Sequence, residues 1–244
     1  MKPCDATRLR ACPMLRRRSL ALAISSLGAI KRRQALLALE LAAIALGIPA
    51  AATYLRQSIE LSLATMLIPV VAILAIFAAR DREFSIRTEL GRGIRRADFL
   101  SVLALYSCAA IALLVWMYVV SPENLLAMPS RHTPTWVVIV LAYPISSALP
   151  QEFLFRTLFF HRYRALLPSR SWLVIAINGC LFGYAHIIYL NAVSVLLTCV
   201  LGTLLAYRYM QTRSFWLVWL EHSLYGELVF TIGLGHYFLL NPPQ

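Results

Sequence analysis

Seven apolar stretches, at 34–55, 58–79, 98–120, 135–160, 171–190, 191–210 and 214–232, alternate with short polar linkers along the chain. Each approaches the ~20 residues that a helix needs to cross roughly 30 Å of hydrocarbon. The pattern predicts an all-α fold, a polytopic transmembrane helical bundle of about seven spans. Pro49 and Pro69 fall inside the first two stretches and are expected to kink them. Pro144 and Pro150 both fall in the fourth, just before its most polar part, which predicts a broken fourth helix. A break there frees backbone groups that lipid cannot satisfy, so this part of the helix is expected to face protein or a wet cavity.

Composition agrees with lipid as the main solvent. Of 244 residues, 60% are hydrophobic and 14% charged, and the mean hydropathy is +0.70. That leaves too little polar surface to coat a water-soluble globule. The net charge of +12 is confined to linkers: nine Lys/Arg in 1–33, six in 80–97, four in 156–170 and two in 208–213, or 21 of 23 on alternate sides. This distribution marks topology and not a nucleic-acid-binding face, so no nucleic-acid partner is expected. The positive-inside rule places the N-terminus in the cytoplasm and the C-terminus outside. The tract Arg16–Arg33 resembles a signal peptide, but basic residues close it and no small-residue cleavage site precedes them. It is read as an uncleaved cytoplasmic or interfacial segment. The five cysteines (Cys4, Cys12, Cys108, Cys180, Cys199) are odd in number and lack CxxC pairing, which argues against a disulfide framework or a thiolate metal site. No soluble domain or internal repeat interrupts the plan. The chain divides into a basic N-terminal segment (1–33), N-terminal transmembrane helices (34–134), a polar-bearing transmembrane core (135–232) and a tail (233–244).

Ionisable residues within lipid cost several kcal/mol each, so each needs either a function or a partner. The candidates are Glu40, Glu60, Glu152, Arg156, His186, Glu221, His222 and Glu227. Glu40 and Glu60 lie near span ends, where a headgroup or a neighbouring helix is a sufficient partner. Glu152 and Arg156 are four apart and share a helix face; alone, such a pair is equally a clasp between helices. Gly179, Gly183 and His186 follow one helical stripe, which predicts a close helix neighbour and a histidine pointing into the interior. His222 and Gly226 are likewise four apart. One carboxylate and two histidines on three separate helices form a set that packing alone explains poorly. A Glu beside a His can polarise water, and a second His can donate to the oxyanion of a tetrahedral intermediate. The same three side chains also match a two-His, one-Glu zinc site. Glu152, His186 and His222 are therefore the candidate catalytic residues, with no cofactor expected and zinc as the alternative. Straight spans would leave Glu152 about 26 Å from the outer end of its helix, far from the depth of His186. A break or re-entrant turn at Pro144 and Pro150 is needed to bring them together.

Four ordered motifs, "PQEFLFR" (150–156), "FGYAH" (182–186), "LGTLLAYRYMQTRSFW" (201–216) and "HSLYG" (222–226), make residues 143–230 resemble the CPBP intramembrane protease family. This family is also called the Abi or type II CAAX-prenyl-endopeptidase-like family. The resemblance implies glutamate-dependent peptide hydrolysis, in which a Glu and the first His activate water while the second His and an Asn assist the oxyanion. The chain departs from that pattern twice: the first Glu of the family's pair aligns with Gln151, and the Asn aligns with Gly226. A neutral Gln cannot take a proton from water. Either Glu152 serves as base with Gln151 and Arg156 orienting it, or a nearby acid such as Glu227 substitutes, or activity has been lost. Phe182, Gly226 and Glu227 complete the supporting set.

The resemblance implies an intramembrane endopeptidase in a bacterial cell membrane. It would cut near the C-terminus or membrane boundary of a membrane-associated protein, for instance at a C-terminal sorting tag. The competing readings are a silent binding or immunity protein of the same fold, and a proton-coupled transporter. A transporter predicts paired halves with broken helices, and the sequence shows no such repeat.

Overall fold

The computed structural model describes residues 13–56 and 63–240, with side chains placed from residue 28 and, in the second helix, from residue 69. The apolar periods form helices throughout, and there is no strand among the described residues. Helix α1 runs from Pro13–Ala42 through a π-helical turn, Ala43–Gly47, into Ile48–Leu55. It is followed by α2 (Leu63–Arg80), the short α3 (Ile86–Leu90), α4 (Arg96–Val120), the short α5 (Ala127–Arg131) and α6 (Thr133–Arg162). Three further helices close the bundle: α7 (Ser171–Tyr184), α8 (Ala192–Thr212) and α9 (Phe215–Ile232).

Five helical segments among the described residues are long and apolar enough to cross a membrane: Gly28–Leu55, Arg96–Val120, Thr133–Arg162, Ser171–Tyr189 and Ala192–Thr212. The chain is therefore a multi-pass membrane protein. The expected count of seven is not reached by this measure. The part of α2 with placed side chains, Pro69–Arg80, is apolar as well. In α9, Glu221, His222 and Glu227 interrupt the apolar run. That interruption has a structural counterpart, since α9 is the central helix, packed on α4, α5, α6 and α8 with ten of its residues buried. Glu221 and His222 face protein instead of lipid, and Glu227 is half-buried.

The prolines act through the backbone hydrogen-bond pattern. The π-helical turn Ala43–Gly47 ends two residues before Pro49, and a second, Pro144–Ala148, ends two residues before Pro150. A proline ring collides with the carbonyl four residues earlier, and widening the preceding turn relieves that contact. A third π-helical stretch, Phe153–Leu158, follows directly after Glu152. The break expected in the fourth span thus takes the form of two widened turns in a helix that continues to Arg162, with no re-entrant turn.

The bundle is fastened at several points. α7 and α8 form a close hairpin in which a Cβ at Gly179 or Gly183 would meet the α8 backbone at Thr203 or Cys199, the neighbour that the glycine stripe predicted. The turns before α8 and α9 are capped by Asn191 and Ser214, whose side chains accept from the Ser194 and Leu217 amides. Glu40 has a helix partner: Arg162 and Tyr163 of the α6 end bind its carboxylate at 2.5–3.0 Å. Glu60, Cys4 and Cys12 lie outside the described residues, and Cys108, Cys180 and Cys199 are free thiols. Two apolar clusters bracket α9. One gathers Phe159, Tyr163, Leu205, Tyr209 and Val218, and the other gathers Met117, Leu228, Ile232 and Leu234. Between them along α9 lies His222.

Candidate active site

α6 and α9 run antiparallel, and Glu152 lies ten residues before the end of α6 while His222 lies seven after the start of α9. At 1.5 Å per residue these positions are ~15 and ~11 Å from the same side of the bundle, so their side chains meet. Glu152 Oε1 is 2.8 Å from His222 Nδ1. Glu152 is 0% exposed and His222 1%. An ionised carboxylate only accepts, so Nδ1 carries the hydrogen and donates it to Glu152. Arg156, also 0% exposed, brings its Nε to 3.1 Å from Glu152 Oε2, the face-sharing pair read from the spacing. The two are aligned for charge but not for a hydrogen bond, so Oε2 keeps an acceptor position unused.

The guanidinium is held from every side. Its amino groups donate to Asn178 Oδ1 and, at 3.3 Å, to the Gly202 carbonyl, and its carbon lies 5.1 Å from the centre of the Phe182 ring. Asn178 in turn donates to the Phe155 carbonyl at 2.8 Å. Phe155 lies within the π-helical stretch after Glu152, where the widened turn exposes a carbonyl to a side-chain donor.

His186 is positioned differently. It follows the end of α7, and its Nδ1 donates to the Phe182 carbonyl at 2.8 Å, which leaves Nε2 as an acceptor. The Phe182 ring lies 5.0 Å from His186 and 5.5 Å from His222, so the two imidazoles share one aromatic neighbour. The two predicted histidines thus flank Phe182, while Glu152 bonds to the second histidine and makes no hydrogen bond to His186 among the described residues.

The other predicted residues separate. Gln151 donates to Ser147 Oγ at 2.8 Å, and its buried Oε1 has no partner. Glu227 makes no ion pair or side-chain hydrogen bond to the cluster among the described residues. Glu221 faces away and pairs with Arg208 at 3.3 Å. Gly226 is packed against Tyr143, a residue that sequence reasoning missed, whose hydroxyl is 2.9 Å from His222 Nε2. Nine positions separate Tyr143 from Glu152, which places them about 180° apart on an ideal helix. The extra residue of the widened turn at Pro144–Ala148 lowers that to about 80°, so both reach the same imidazole. The paired prolines were the only sequence signal of this.

A cavity of about 380 Å³ lies beside the cluster, between α1, α2, α6 and α7. Ile44, Ile73, Leu154 and Tyr189 give it an apolar wall, and Gln151 and His186 line it as well. Glu152 is not among its lining residues. No group of three or more His, Cys, Asp or Glu that could hold a metal ion occurs among the described residues. Of the two-His, one-Glu set, Glu152 is engaged by His222 and Arg156, and His186 Nδ1 is turned to the Phe182 carbonyl.

Searches of curated proteins and of solved structures return no match. The family model described as Type II CAAX prenyl endopeptidase Rce1-like matches residues 133–226, less than half of the chain. The match begins at the start of α6 and ends at Gly226, and it contains every residue of the cluster. The segment 133–226 is thus similar to the Rce1-like type II CAAX prenyl endopeptidases, in line with the resemblance of the motifs.

Proposed function

We propose that the chain is an intramembrane endopeptidase of the glutamate type, with Glu152, His186 and His222 as its catalytic residues. The family match supports a CAAX-type membrane protease as the general class. The observation that carries the finer reading is the 2.8 Å contact of a fully buried carboxylate with a buried imidazole, beside an apolar cavity. Glu152 Oε2 retains a free acceptor position for a proton from water, and the bond from Oε1 to His222 orients that imidazole. His186 at the cavity wall is the group that meets a substrate carbonyl. The apolar cavity suits a membrane-associated protein cut near its C-terminus or membrane boundary, of which a C-terminal sorting tag is one form. In this reading the protein sits in a bacterial inner membrane with its N-terminus in the cytoplasm and its C-terminus outside. In this reading no metal takes part.

A second reading, a silent binding or immunity protein of the same fold, is favoured by one observation. The residues that line the cavity are Gln151 and His186, while Glu152 sits behind them against Arg156. The test uses the full chain in liposomes with a quenched-fluorescent prenylated CAAX peptide and membrane-anchored reporters carrying C-terminal tags. Cleavage that persists in chelator and disappears in His222→Ala supports the peptidase. Binding without cleavage supports the silent protein, and cleavage lost to chelator and restored by zinc supports the metal variant.

A further inference from the structure

Tyr143 ends the first part of α6, and the widened turn starts at the next residue. Its ring meets His222 and Phe230 edge-on at 5.9 Å each, and its hydroxyl stands 2.9 Å from His222 Nε2. The space for the ring exists because residue 226 is a glycine. A Cβ there, one turn after His222, would lie inside the Tyr143 ring and against its hydroxyl. The imidazole of His222 is therefore bonded at both nitrogens, by Glu152 at Nδ1 and by Tyr143 at Nε2.

These partners have complementary chemistry. Glu152 accepts from Nδ1–H, so Nε2 of the neutral ring holds the lone pair and the Tyr143 hydroxyl donates to it. When the ring gains a proton, Nε2–H becomes a donor and the same hydroxyl oxygen accepts. A hydroxyl fits both states, whereas a carbonyl or an ammonium at that position would fit only one.

We propose that Tyr143 is a positioning residue of the site: a Glu152–His222–Tyr143 hydrogen-bond chain holds the His222 imidazole in one orientation in both of its charge states, and in one tautomer when it is neutral. Gly226 is the residue that admits Tyr143 to that place. The proposal rests on the reading of Glu152 and His222 as the reaction centre.

The test compares wild type, Tyr143→Phe and Gly226→Ala as full chains labelled with ¹⁵N-histidine, with His222 signals identified by their loss in His222→Gln. Ring-nitrogen shifts are followed with pH, and kcat and KM are measured on the prenylated CAAX peptide. Tyr143→Phe keeps the ring and moves the Nε2 signal towards that of an unbonded nitrogen. Gly226→Ala moves it the same way with the tyrosine still present. Displacing the imidazole by about an ångström lowers kcat about 10²-fold, with KM little changed. Unchanged His222 ring-nitrogen signals in Tyr143→Phe overturn the proposal whatever happens to kcat. A wild type inert towards every probe overturns the peptidase reading alone, because the nitrogen shifts still decide whether Tyr143 holds His222.

Discussion

Arg156 has no access to solvent, and its charge is matched by Glu152, Asn178 and a backbone carbonyl. Removing one partner of such a set leaves the other buried without compensation. Arg156→Ala is expected to destabilise the bundle by about 3–5 kcal/mol. A thermal unfolding series in detergent checks this, and a melting temperature within a degree of wild type would make the pair dispensable. At this scale the sequence was informative wherever spacing alone decided the contact. The four-residue step from Glu152 to Arg156 gave their pairing, and the Gly179–Gly183 stripe gave the close approach to α8. It was silent where the contact depends on two helices at once. Tyr143 is one of 11 tyrosines, and only the emptiness of Gly226 on another helix singles it out.

At the scale of one helix, α6 carries the geometry of the site. Its widened turn at Pro144–Ala148 sets the rotation between Tyr143 and Glu152, and Ile145 within that turn faces outward, 68% exposed. Deleting Ile145 removes a mostly exposed residue, but it rotates everything after it by about 100° relative to Tyr143. The expected outcome is loss of His222 bonding and of cleavage, seen in the His222 nitrogen shifts and in the peptide assay. Retained activity in the deletion would mean that the turn does not set the register. The prolines announced a disturbance in this helix, but not its kind. Pro150 removes one backbone donor, and the neighbours then decide whether the helix breaks or widens. The same limit explains the depth mismatch expected from straight spans. It compared Glu152 with His186, whereas the carboxylate pairs with His222 at matching depth on an antiparallel neighbour.

Across the whole molecule, the apolar spans and the basic linkers were legible because lipid imposes them on every helix separately. The cavity was not, because its walls come from four helices far apart in the chain. It supplies an apolar space next to Gln151 and His186, and α1 forms part of its wall. Ala52 lies on that α1 wall. Ala52→Trp is expected to fill part of the cavity and lower kcat/KM on the CAAX peptide about tenfold or more, by at least the 1.4 kcal/mol to which that factor corresponds, while thermal stability stays close to wild type. An unchanged kcat/KM would mean that substrate reaches the site by another route.

The proposed function makes Glu152 the working carboxylate of a peptidase. It is tested most directly by scoring cleavage for wild type, Glu152→Gln and Gln151→Glu at equal protein level and confirmed fold. The expected outcome is cleavage by wild type and its loss in Glu152→Gln, a substitution that keeps shape and removes the proton acceptor. An inert wild type that gains cleavage on Gln151→Glu would contradict the account, and would make the chain a silenced relative whose present role is binding.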